Sequence, residues 1–217
     1  MRIIVTTSNL YLHLLPVFTY LFNKYFPGQQ VMVLGYDVPR EQMPNNFTFV
    51  SMGKQGDVSE WSTDIRKWIE AQEDEWFLWL MEDTFLKSPV NLPQLDYACA
   101  MMMPGVGRIC LTKDPQNREH TVDNLGVVWA SPNSRYRLST QPSIWNKAFL
   151  LQYLTDGLTP WIFETQDPIN DEWAVIGLVD YPVQSNEGVR KSDRFKLDLN
   201  GMQPEDIRHI NKIVPTW

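Results

Sequence analysis

Apolar residues fall in short runs along this chain, and the runs alternate with longer amphipathic stretches. Arg2 to Thr7 carries Ile3-Ile4-Val5 and reads as a buried strand. The apolar segment from Leu10 to Phe26 is long enough for a helix, and Pro27-Gly28 stops it. Gln30 to Leu34 and Phe47 to Met52 read as further short strands. A helix is expected from Glu60 to Gln72, with apolar positions at Trp61, Ile65, Trp68 and Ile69 and a cap from Asp57 or Ser59. Trp76 to Met81 is a nearly unbroken apolar run, which suits a central strand buried on both faces. It stops at Glu82-Asp83-Thr84.

The order β-α-β-β-α-β with short connections predicts an α/β domain with a mixed, mostly parallel sheet flanked by helices. Ligands of such sheets bind beyond the carboxyl ends of the strands. Three of those ends are polar, at Thr6-Thr7-Ser8, Tyr36-Asp37 and Glu82-Asp83, and are expected to share one crevice. The second half is less regular. Helices are expected over Leu92–Met103, Trp145–Leu154, Glu172–Ile176 and Gln203–Lys212. Strands are expected over Arg108–Leu111, Val127–Ala130 and Leu178–Val183, with a loop from Thr112 to Asn124. No Pro/Gly/Ser-rich linker divides the halves, so one domain is expected.

At 217 residues and 43% apolar composition the chain can bury a full core without disulfides. Cys99 and Cys110 lie in apolar surroundings and form no CxxC or Cys/His cluster, which argues against structural zinc. The net charge of −7 argues against a protein that lives by neutralising phosphates. No run approaches the roughly 18 apolar residues of a membrane helix. The opening residues lack a signal-peptide pattern, so cytoplasm is the expected compartment. Nine tryptophans stand out. They serve either core packing or a surface that meets a sugar, nucleobase or partner.

Four segments carry candidate chemistry. Glu82-Asp83, two acids ending a hydrophobic strand, would suit Mg²⁺ or Mn²⁺; solvated acids in a strand-end turn are the plainer reading. Glu164, flanked by Trp161 and Phe163, is a base candidate, or simply caps a helix. Ser185 to Ser192 sets Arg190-Lys191 after Gly188, which suits a diphosphate, or is a solvated hairpin turn. Leu138 to Trp145 brings several hydrogen-bonding side chains ahead of a helix, with Ser143 as a candidate cap.

Together these segments resemble a family of small bacterial and phage glycosyltransferases with a GT-A-like fold. The resemblance rests on "LMEDTFLKSPV", "LSTQPSIWNKAFLLQYL", "TPWIFE" and "SNEGVRKS" in that order, over roughly residues 60 to 192. It implies transfer of a sugar from a nucleotide-sugar donor to a glycan or other hydroxyl acceptor, with inversion. It also implies a nucleotide-binding half of about residues 1–90 and an acceptor-binding half of about residues 91–217. Thr6, Thr7 and Asp37 would contact the nucleoside, with Trp61 and Asp64 bordering the pocket. Asp83, with Glu82, would hold a divalent cation. Arg190 and Lys191 would neutralise the leaving diphosphate, and Glu164 would be the base. Gln141 and Trp145 would line the acceptor side, and Trp161 would stack on a sugar. The acidic motif departs from Asp-x-Asp, which leaves metal dependence open. His209 is ranked as structural. Modified bases in phage DNA are a conceivable acceptor, which the net charge disfavours. Two alternatives remain: a non-catalytic carbohydrate-binding or assembly module, and a nucleotidyltransferase that attacks at phosphorus.

Overall fold

A computed structural model describes residues 1–166, 171–190 and 193–213, at 190 and 193–195 for the backbone only. β1 (Arg2–Thr6) leads through a 3-10 turn at Asn9–Leu14 into α1 (Leu15–Tyr25). Pro16 sits in the first turn of α1, where its missing N–H costs nothing, so the expected single helix divides here. β2 (Val31–Gly35), β3 (Phe47–Ser51), α2 (Trp61–Glu70), β4 (Trp76–Met81) and β5 (Thr84–Leu86) follow. Asp57 caps the 3-10 turn that starts α2, accepting from Ser59 N.

The second half comprises α3 (Leu92–Ala100), β6 (Val106–Cys110), β7 (His120–Val122), β8 (Val127–Ala130), β9 (Ser143–Asn146) and α4 (Lys147–Tyr153). Then come α5 (Pro160–Glu164), β10 (Ala174–Leu178), β11 (Ser185–Glu187), β12 (Val189–Arg190), β13 (Asp193–Leu197) and α6 (Pro204–Ile213).

Nine strands form one sheet in the order β3-β2-β1-β4-β9-β6-β10-β8-β7. β9 and β8 run against the others, so the sheet is mixed but mostly parallel. Alternation along the strands feeds two cores. Val5, Val33, Leu78 and Leu80 pack with Phe18, Phe22, Leu95 and Ile210 on one face. Ile4, Leu34, Phe77 and Trp79 pack with Ile65, Ile69, Phe149 and Phe163 on the other. Helices therefore cover both faces, as a parallel sheet requires.

The helix expected over Glu172–Ile176 is overturned, and the one expected over Trp145–Leu154 is present as α4 but begins at Lys147. Residues 143–146 are strand β9, wedged antiparallel between β4 and β6, and Asn146 caps α4 where Ser143 was expected to. Residues 174–178 are strand β10, paired with β6 and β8. Four- and five-residue apolar segments do not distinguish helix from strand, and pairing partners decide. The strand expected over Leu178–Val183 ends at Leu178, and the loop expected over Thr112–Asn124 contains β7. No helix among the described residues is long and apolar enough to cross a membrane.

Candidate active site

The chain order runs outward from β1 through β2 to β3, then returns to place β4 on the other side of β1. Beyond the carboxyl ends of β1 and β4, at this reversal, the connections diverge and leave a crevice. A cleft of about 990 Å³ opens there. Thr7, Ser8 and Tyr36 come to it from the first two strands, and Met81, Glu82 and Asp83 from β4. Thr140, Gln141, Trp161 and Glu164 face them from the second half, together with Ser185, Asn186 and Glu187.

The acidic end of β4 lies deep. Glu82 is buried, and its Oε2 has no hydrogen-bond partner among the described residues. Burial drives its carboxyl well above the ordinary range, and the charge of Asp83 adds to this. Burial pushes the Asp83 carboxyl up to about 6, with further contributions from Glu187 and Glu164. Glu187 is placed by pairing, since β11 runs antiparallel to β5 and sets it opposite Thr84. Gly188 N donates to Asp83 O at 2.6 Å. A Cβ at Gly188 would lie 2.5 Å from the Phe85 ring, so glycine is required for close approach rather than for an unusual turn.

Hard oxygen donors of this kind suit Mg²⁺ or Mn²⁺, and an orphaned buried carboxylate oxygen is what a cation would satisfy. Among the described residues no three Asp, Glu, His or Cys side chains group closely enough to hold a metal by themselves. A cation here would take further oxygens from water or a substrate. The described lining includes Asp57, Glu82, Asp83, Glu164 and Glu187, and no Lys, Arg or His.

Opposite the acids, the Thr159 side chain caps α5 by accepting from Ile162 N, and this short helix presents Trp161 and Glu164 to the cleft. Thr140 donates to Glu164 Oε1 from its backbone N at 2.6 Å and from its hydroxyl at 2.7 Å. Trp161 is 63% exposed on the rim.

The structure separates the sequence candidates. Thr7, Trp61, Glu82, Asp83, Gln141, Trp161 and Glu164 line the cleft. Thr6 does not: its hydroxyl accepts from Trp79 Nε1 at 2.9 Å and donates to Met81 Sδ at 3.1 Å. Trp145 is fully buried against Trp79, Phe149 and Phe163, so it belongs to the core and not to an acceptor surface. Asp37 is exposed, bonded to Asn9 at 2.8 Å, and is not part of the lining. Asp64 acts from behind, accepting from the Tyr36 hydroxyl at 3.1 Å. Lys191 and the Arg190 side chain lie outside the described residues. His209 stacks on Tyr20 with ring centroids 3.9 Å apart. Thr140 and Glu187 are wall residues that sequence reasoning did not single out, although both lie in segments it flagged, Leu138–Trp145 and Ser185–Ser192; Tyr36 is the polar strand end expected there.

No protein-family model matches the chain, and no curated protein matches it. Distant likenesses occur among solved structures. HddC from Yersinia pseudotuberculosis is 10% identical over 96% of each chain, with a TM-score of 0.49. The galactosyltransferase LgtC, in complex with donor and acceptor sugar analogues, is 10% identical over 79% of this chain and 67% of its own, at 0.42. The bifunctional IspDF from Campylobacter jejuni is 13% identical over 79% of this chain and 45% of its own, at 0.39. At these scores they assign neither a family nor an activity.

Proposed function

We propose that the chain is a GT-A-like glycosyltransferase, one domain over residues 1–217, with a nucleotide half of about residues 1–90 and an acceptor half beyond it. It moves a sugar from a nucleotide-sugar to a hydroxyl of a glycan or similar acceptor, with inversion. The observation that carries this reading is the meeting of Asp83 and Glu164 in one switch-point cleft, close enough for the Glu164 charge to be felt at Asp83. One acid comes from a sheet end of the first half, the other from a helix of the second.

Glu164 takes the proton of the acceptor hydroxyl as its oxygen bonds to the anomeric carbon. The bond from that carbon to the diphosphate oxygen breaks, and its electron pair leaves with the nucleoside diphosphate. Negative charge grows on the leaving group, and preferential stabilisation of that charge is where catalysis is gained. A divalent cation, Mn²⁺ or Mg²⁺, held through Asp83 with Glu82 beside it, would supply that positive charge when bound. The lining acids support this, because they would repel a bare diphosphate. Arg190 and Lys191 are assigned to the same charge. Thr7, Trp61 and the Asp64-held Tyr36 border the nucleoside. Gln141 faces the acceptor, and Trp161 stacks on a sugar face. The same acids disfavour a polyanionic acceptor such as DNA.

The test is a thermal-shift panel of nucleoside diphosphates and nucleotide-sugars, with and without Mn²⁺. A ligand at a hundred times its Kd adds about 2.7 kcal/mol. Glu164→Gln is expected to keep the shift and lose about 10²- to 10⁴-fold in turnover. Unchanged turnover removes the base. Sugar binding with no nucleotide shift transfers the reading to a carbohydrate-binding module.

A further inference from the structure

We infer that Thr140 is a positioning residue for the Glu164 carboxylate, and that buried Arg108 holds it in place through the 137–143 loop. This rests on the reading of Glu164 as the base.

Both donors of Thr140 converge on a single oxygen, Oε1 of Glu164. Two bonds from one residue anchor that oxygen and restrict the carboxylate. No hydrogen bond among the described residues engages Oε2, which is the oxygen assigned to the acceptor proton. A base must sit within hydrogen-bond reach of that proton, so an anchored carboxylate contributes directly to rate.

What fixes Thr140 is a loop braced from inside. It follows Tyr136, a non-glycine residue at φ 59° whose ring lies under the Arg118 guanidinium at 4.6 Å. Ser139 N donates back to Tyr136 O at 2.9 Å. Arg108, only 1% exposed, spans the loop. Its Nη1 donates to Arg137 O at 2.9 Å and its Nε to Ser143 Oγ at 3.0 Å. Ser143 Oγ passes the link on, donating to Gln141 O at 2.7 Å. The two residues the loop shows to the cleft, Thr140 and Gln141, therefore sit between two points tied to one guanidinium. A buried cation is costly, and this one is not repaid by ideal pairing. Asp114 stands 3.8 Å away and Arg108 Nη2 makes no hydrogen bond among the described residues. Its satisfied donors all go to the loop.

The experiment measures nucleoside diphosphate released by hydrolysis, with water as acceptor. Its donor is whichever of UDP-glucose, UDP-galactose, UDP-N-acetylglucosamine and GDP-mannose gives the largest thermal shift. Thr140→Val is expected to lower kcat by about ten- to a hundredfold, leaving the donor KM and the melting temperature near wild type. Thr140→Ser, which keeps both donors, restores most of it. In a Glu164→Gln background Thr140→Val should cost nothing more, because both changes disable one unit. Ser143→Ala, which cuts the Arg108 link without removing a buried charge, should lower kcat severalfold. Multiplying losses in the double variant overturn the positioning role, and so does a Thr140→Val effect confined to KM. Wild-type kcat in Ser143→Ala overturns the Arg108 link. If no donor is hydrolysed, or Glu164→Gln alone is fully active, the transferase or base reading has failed and this inference with it. A Glu164→Gln loss beside an active Thr140→Val sinks the positioning alone.

Discussion

Trp79 Nε1 donates a 2.9 Å hydrogen bond to Thr6 Oγ1, tying β4 to β1 where the strand order reverses. Both residues are buried. Thr6→Val keeps the shape and removes the acceptor, leaving the indole N–H unsatisfied. The expected loss is about 1–3 kcal/mol, read as a lower urea midpoint. Nucleotide shifts should persist, because Thr6 is not part of the cleft wall. Loss of binding at unchanged stability would return Thr6 to the site.

Asp83 combines a cost to the fold with a proposed use. Its folded pKa, about 6, lies above the ordinary value of 3.8. The associated stability is fully present below the ordinary value and is lost as pH rises through about 6. Asp83→Asn should therefore melt higher than wild type at pH 8 in EDTA, with the difference vanishing near pH 4. Release of nucleoside diphosphate should be lost in the same variant. Equal melting temperatures at pH 8 would contradict the burial and the repulsion from Glu187.

Asp206 behaves in the opposite sense. Burial by itself would raise its carboxyl, but hydrogen bonds from Lys24, Tyr25 and Tyr20 outweigh that and hold it below the ordinary range. Lys24 lies at 2.6 Å and Tyr20 at 2.9 Å, and together they latch α6 onto α1. This stability is present above the unfolded pKa and is lost as pH falls through the folded one. Asp206→Ala should cost about 1.5–3 kcal/mol at pH 7. The gap to wild type should close as both are acidified, in melts followed by circular dichroism.

Trp161 is the exposed tryptophan on the cleft rim. Its removal touches no core, so Trp161→Ala should stay within about 0.5 kcal/mol of wild-type stability. Sugar-array signals or the acceptor KM should worsen by roughly tenfold, as for loss of a stacking face. An unchanged acceptor KM would leave Trp161 without a ligand role.

The described tryptophans divide accordingly. Trp79 and Trp145 fill the core and Trp161 faces solvent. Trp145 stands between Ile144 and Asn146, and Trp161 between Pro160 and Ile162. Trp145 lies inside because β9 inserts between β4 and β6, a long-range pairing with no local signature.

Most of the first half of the fold was legible in the sequence, apart from β5 and the break before α1. The six apolar residues of β4, the amphipathic face of α2 and the polar strand ends at Thr7 and Glu82-Asp83 follow from local periodicity. Burying a strand on both faces requires an unbroken apolar run, and such a run is legible. Only the tertiary structure decided β9 and β10, whose short segments take their form from partners far along the chain. It also decided which side chains line the cleft: Thr6, Asp37 and Trp145 do not and Thr140 and Glu187 do, because a cleft wall is set by which side chains converge in space. That convergence depends on loop bracing by residues such as Arg108, 32 positions before Thr140. No pattern of neighbouring residues encodes that distance.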